Sequence, residues 1–299
     1  MTNWPPLPLD EWRDTLETVH RWTQIVGKIR LKLTPLVNHW WNVPLYVTPR
    51  GLTTSVIPYG DRWFDMEFDF LAHVLRIRTS DGAEREIALA PRSVADFYAE
   101  VFAILKALKI ECSIWPVPVE IENPIRLDQD EQHRSYDRES VDRFWRITAL
   151  TDAVFTQFRA EFIGKCSPVH FFWGSFDLAV TRFSGRRAPQ REGADSITRE
   201  AYSHEVSSVG FWPGDSRLEL PAFYSYAAPE PDGFRDSAVS PAAAYYNAAL
   251  NGFYLHYDDV RATPEPEKAL LEFCRTTYAV AAEKGKWDRT SLERAITSD

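Results

Sequence analysis

Between positions 9 and 27, Trp12, Leu16, Val19, Thr23 and Val26 recur three or four apart, the period of one buried helix face. From Ile29 to Leu89 the pattern changes to strands, with turn signals at 48–51 (TPRG) and 80–83 (SDGA). Alternation is clearest in the run WFDMEFDF. Phe64, Met66, Phe68 and Phe70 point one way, and Asp65, Glu67 and Asp69 point the other. One dry face and one wet face predict an antiparallel sheet. Arg76 and Arg78 share a face of the next strand and are the expected partners of the three acids, whose spacing alone would also suit a hard cation. Pro91 and the Ser93/Asp96 pair then open a helix that repeats Val94, Phe97, Val101, Leu105 and Leu108.

Residues 122–138 are polar and aperiodic, a connection between halves. Beyond them Val141, Phe144, Thr148, Thr151, Phe155, Phe158 and Phe162 trace another helix, which runs into a long apolar strand over 166–187. A C-terminal helix opens at Thr263–Pro264. The predicted fold is α+β, with two related units of mainly antiparallel sheet and flanking helices. The first covers 1–122, the connection 123–137 and the second 138–299, the two packing into one body.

The two units read as copies. At an offset of 133, residues 12–48 align with 145–181 without a gap, and twelve of the 37 positions are identical, among them Trp12/Trp145, Gln24/Gln157, Lys32/Lys165, Leu45/Leu178 and Thr48/Thr181. Composition alone gives about two. In this register His170 replaces Val37, Asp177 replaces Pro44 and Arg182 replaces Pro49. Buried polar groups need partners, so polar gains in the second copy direct attention there.

Composition narrows the classes. A net charge of −9 with no basic run argues against nucleic acid and against an anionic membrane. No apolar run reaches the length of a membrane span, and the start, MTNWPPLPLDEW, lacks the regions of a signal peptide. Cys112, Cys166 and Cys274 are odd in number and widely separated, which fits a reducing cytoplasm better than a disulfide framework. With 11 Trp, the chain has aromatic area for a core and for a ligand pocket.

The candidate chemistry lies in the second unit. Period two along 169–183 puts His170, Phe172, Gly174, Phe176 and Arg182 on one face, with Trp173, Ser175 and Asp177 on the other. His170 is then an acid/base group, Arg182 an anchor for a carboxylate or phosphate, and Phe172 and Trp173 aromatic walls. His204 and Glu205 are adjacent, so on a strand they face opposite ways. His204 is a second acid/base group, with Glu205 or Asp177 to orient a histidine. A divalent metal on His170, His204 and Glu205 is the weaker option, because no ligand-spacing motif is present. The polar stretch 184–200 reads as a mobile lid whose Arg186 and Arg187 close over an anion. In the first unit, Asn38, His39 and Asn42 amid Trp40 and Trp41 read as a half-buried strand with a capping histidine. Cys166 beside Lys165 reads as packing. There is no phosphate loop, dinucleotide fingerprint or nucleophile elbow.

The strings IGKCSPVHFFWGSFDLAVTRFSGRRAP, NHWWNVPLYVTPRGLTTS and EAYSHEVSS resemble a bacterial family of soluble proteins known only as a domain of unknown function, nearly end to end. The resemblance implies a bacterial cytoplasmic protein and carries no catalytic residue. The expected function is that of an enzyme acting on a small, anionic, partly apolar molecule. A non-catalytic binder of an apolar or sugar-like ligand remains open. So does an assembly protein whose aromatic surface forms a homodimer.

Overall fold

The first amphipathic pattern becomes helix α1, Leu9–Leu33, in a computed structural model that describes residues 4–190 and 192–295. The first three residues of the amino-terminal stretch, Arg191 of the expected lid and residues 296–299 lie outside the described residues. The helix runs past Ile29, where strands were expected. The segment KIRLKL alternates as a strand would, but Leu, Lys and Arg are good helix formers and extend a helix already nucleated. It ends at Thr34, whose N–H and hydroxyl both donate to the Arg30 carbonyl.

A single 3-10 turn at Asn38–Trp40 leads to a six-stranded antiparallel sheet. Its strands are β1 (Tyr46–Thr48), β2 (Gly51–Thr53), β3 (Ile57–Tyr59), β4 (Arg62–Asp69), β5 (Val74–Thr79) and β6 (Glu84–Ala88), ordered β1-β2-β4-β5-β6 with β3 also on β4. As expected, Phe64, Met66, Phe68 and Phe70 are buried, while Arg78 pairs with Asp65 and Glu67 and Arg76 pairs with Asp69. Helix α2 (Val94–Ala107) follows, capped by Ser93 Oγ accepting from the Asp96 N–H.

The second unit repeats this order of helix, six strands and helix. Helix α3 (Arg138–Ala160) precedes β7 (His170–Phe172), β8 (Asp177–Arg187), α4 (Ser196–Ala201), β9 (His204–Trp212), β10 (Ala222–Ala228), β11 (Tyr245–Asn247) and β12 (Gly252–His256). These strands form an antiparallel sheet ordered β11-β12-β10-β9-β8-β7. Helices α5 (Tyr257–Arg261), α6 (Pro266–Lys284) and α7 (Arg289–Leu292) complete the described chain. The C-terminal helix thus opens at Pro266, past Thr263–Pro264. The shared order fits duplicated units. Leu45 and Leu178, equivalent in the repeat, both pair with Phe171, one on each side of β7. One hydrophobic cluster runs through both halves.

The expected continuous strand over 166–187 is two strands. Residues 173–176 form a turn in which Phe176 takes φ +60 and donates its N–H to the Phe172 carbonyl at 2.8 Å. His20 and Gln24 of α1 hold the turn through the Gly174 carbonyl. The reversal changes which side chains share a face, since partners across an antiparallel pair lie on the same side. His170 is opposite Ala179 and Phe172 opposite Asp177, so both belong with Asp177, Ala179, Thr181 and Phe183. Leu178, Val180 and Arg182 face α3 and α6 instead.

Candidate functional site

Pairing registers carry the face of the second sheet turned away from α3 and α6 from Asp177, Ala179, Thr181 and Phe183 on β8 to Gly210, Ser208, Val206 and His204 on β9, then to Tyr224 and Tyr226 on β10. Its floor is small, and aromatic and titratable groups stand at both ends.

At one end, segment 38–47 of the first unit packs over the sheet. His39 and Trp40 take φ +58 and +61, a left-handed conformation uncommon for bulky residues. That backbone turns the His39 ring inward, to 4.7 Å from the Phe183 ring and 5.6 Å from His204. Its Nδ1 meets the Glu200 and Ala201 carbonyls at 3.1 and 3.2 Å, so Nδ1 carries the proton and Nε2 is left as acceptor. Lys165 Nζ donates to that Nε2 at 2.5 Å. The ammonium also lies over the Phe183 and Trp41 rings, 4.9 and 5.4 Å from their centroids. Burial pushes Lys165 below the ordinary lysine range. Burial first and Lys165 second lower His39 and His204.

Next to this group, the His170 imidazole is 1% exposed and ringed edge-on by Phe172, Tyr46 and Trp41 at 5.5, 5.6 and 5.8 Å. Burial, then Arg30 and Arg159, hold it down to about 3, so it is neutral. At the other end, Asp177 accepts from Ser175 and from Tyr224. Burial raises its carboxyl against these two bonds, and burial followed by Asp177 raises Glu120. Tyr226 meets Tyr202 at 3.0 Å, and Thr181 meets Ser208 at 2.9 Å.

Of the residues expected from sequence, His170, Phe172, Asp177 and His204 share this face. Arg182 does not. It is 2% exposed beneath α3 and α6, donates to the Phe158 carbonyl and lies over the Phe158, Phe162 and Tyr278 rings. Trp173 is a core residue, packed on Gly27 of α1 and donating Nε1 to the Val43 carbonyl at 2.8 Å. Glu205 turns away from His204, as alternation requires, and pairs with Arg186 and Ser184. Arg186 also donates to the Gly285 and Lys286 carbonyls at the end of α6, so it ties down a helix terminus. The expected lid is partly regular: β8 runs to Arg187 and α4 fills Ser196–Ala201. His170, His204 and Glu205 therefore do not converge, and among the described residues no three His, Cys, Asp or Glu side chains are placed to hold a metal ion.

Sequence reasoning missed Lys165 and set His39 aside. The one available signal was Lys32/Lys165, a lysine kept in both copies beside the position where the copies diverge. Two surface clefts, one lined by Arg92, Arg134 and Asp137 and one by Arg186, Glu205 and Trp287, lie elsewhere. Arg92, Arg134 and Arg186 there are already bridged to carboxylates.

The fold and this face define an α+β protein of two like sheets with a basic, aromatic centre where they meet. The chain belongs to a family of unknown function, DUF5996, whose model matches residues 4–294. No curated protein and no solved structure matches it. No helix among the described residues is long and apolar enough to cross a membrane.

Proposed function

We propose that the chain is a cytoplasmic enzyme that seats a small, anionic, partly apolar molecule against this face of its second sheet and moves a proton on it. Lys165, His39 and His204 carry the proton. The bond from Lys165 Nζ to His39 Nε2 supports this reading most directly, because it joins an ammonium to a neutral imidazole. Burial opposes charge on the lysine. Such a lysine releases its proton more readily than a solvated one, as bases and nucleophiles require. Trp41 and Phe183 give apolar contact and exclude water. Phe172 and His170 extend the lining, and Asp177 with Tyr224 stands at the far end as a second acid.

Competitive acetylation with isotopically labelled acetic anhydride, read by peptide mass spectrometry across pH, tests the proposal. Lys165 is expected to titrate below the ordinary lysine range and, near neutrality, to react faster than the exposed Lys106, Lys109 and Lys268. A Lys165 that titrates with the surface lysines would leave only a binding protein.

A further inference from the structure

Four lysine and arginine side chains are buried among the described residues: Arg21, Lys28, Arg30 and Arg182. Burying a cation is costly unless it is paired and hydrogen-bonded. Arg21 has Asp130 at 3.3 Å, Lys28 lies over the Trp173 ring, and Arg182 has its carbonyl and three rings. Arg30, like Arg21 and Arg182, keeps one nitrogen without a hydrogen-bond partner among the described residues, and it has one ring where Arg182 has three. The Arg30 Nε donates to the Asn42 carbonyl at 2.8 Å and its guanidinium lies 5.3 Å from the Tyr46 ring centroid, while the unpartnered nitrogen is its buried Nη1.

His170 also lies against the Tyr46 ring, and neither of its ring nitrogens has a hydrogen-bond partner among the described residues. Arg159, which donates Nε to the Ser167 carbonyl, joins Arg30 in opposing protonation there. The Arg30 guanidinium and an unbonded imidazole thus both lie against the Tyr46 ring.

We infer that Arg30 and His170, walled by Trp41, Tyr46 and Phe172, are the seat of an oxyanion group carried by a small, partly apolar molecule. The guanidinium edge supplies the directed donors that carboxylate and phosphate oxygens accept. Neutral imidazole offers one N–H and one lone pair. A monoprotonated phosphate monoester satisfies both, with an oxygen for the N–H and a P–OH for the lone pair, whereas a carboxylate satisfies the N–H alone. The aromatic walls take the apolar part of the ligand. This seat deepens the proposed function by giving the anion's place, the role the sequence suggested for Arg182, and rests on that proposal only for the reaction that follows binding.

The test is calorimetric titration of the full chain with phenyl phosphate, inorganic phosphate and benzoate, against sodium chloride at matched ionic strength. Saturable binding is expected, tightest for phenyl phosphate. Arg30→Met should weaken it at least tenfold, and His170→Leu should weaken it more than His170→Gln, which keeps a donor and an acceptor. Lys165→Met should retain the phosphate response, so failure of the catalytic reading leaves this one standing. In the unsubstituted protein, phosphate should also move the imidazole 15N resonances of His170, a readout that does not depend on any variant folding. No saturable response beyond the chloride control, or binding unchanged in Arg30→Met, overturns the inference. So does loss in Lys165→Met with retention in Arg30→Met.

Discussion

The Tyr224 side chain lies across Gly210 on the neighbouring strand and places its hydroxyl on the carboxyl of Asp177. A methyl group at 210 would overlap the phenol ring. The glycine is therefore what lets a β10 tyrosine reach over β9 to a β8 acid. Alanine within a strand ordinarily stabilises relative to glycine. Here Gly210→Ala is expected to destabilise by about 1–3 kcal/mol, the usual cost of overpacking. Chemical denaturation measures the loss. Tyr224→Phe in the Gly210→Ala background should cost less than in the parent, because the bond it removes is already broken.

The periodic elements were readable because hydrophobic spacing acts locally. β4 shows this, as does α2 with its Ser93 cap. The hairpin at 173–176 was not readable. Its reversal uses Phe176 at φ +60, a conformation its residue type does not announce, and the reversal moves every later side chain to the opposite face. That single turn sent Arg182 into the helix-covered core and brought Asp177 round to His170's side. The Lys165–His39 contact spans 126 residues and depends on the Leu45–Phe171 bridge and two left-handed residues, none of which leaves a period in the sequence. The divergence of the repeat at 170 and 177 does mark two residues of one face.

Arg182 has packing and one carbonyl bond but no carboxylate ion-paired with it among the described residues. Replacing a buried charge with an apolar side chain of similar volume is often neutral or stabilising. Arg182→Met is expected to change stability by less than about 1.5 kcal/mol, whereas Arg182→Ala should cost about 2–5 kcal/mol through the cavity it leaves. Phosphate binding should be unchanged in Arg182→Met. Weakened binding in that variant would return the anion to the place first expected from sequence.

His170, buried, and His20, half-buried, set an acid response. Burial, followed by Arg30 and Arg159, holds His170 down to about 3, and burial holds His20 to about 4. An unfolded histidine titrates near ~6.5. Their folded values are depressed, so this stability is complete above about 6.5 and is lost as pH falls toward 4. Each contributes a slope of up to about 1.4 kcal/mol per pH unit. Asp177, Glu120 and Asp152 are raised by burial, Asp152 to about 6, and act in the opposite sense. The comparison between variants isolates the histidine. Urea unfolding of His170→Leu from pH 7 to 4.5 should show a flatter loss than the parent, and parallel curves would remove His170 from the account.

In the first sheet, Asp69 is fully buried and accepts from Arg50, Arg76 and the Leu71 and Ala72 amides. Burial pushes its carboxyl up, but Arg50, the Ala72 amide and Arg76 outweigh burial and hold it below the ordinary range. The Arg50 arm is half exposed, so water screens part of its attraction. Asn at 69 keeps the shape and one acceptor oxygen but removes the charge that both arginines meet. Asp69→Asn is expected to cost about 1–3 kcal/mol. A depressed carboxyl gives stability that is present above the unfolded value of ~3.9 and is lost as pH falls through the lower folded value. The gap between parent and Asp69→Asn in urea unfolding should therefore be constant from pH 7 to 5 and close below pH 4. A gap that instead grows with acid would mean that the carboxyl is protonated in the folded chain, and the ladder of Arg50, Asp69 and Arg76 would then be held by neutral hydrogen bonds alone.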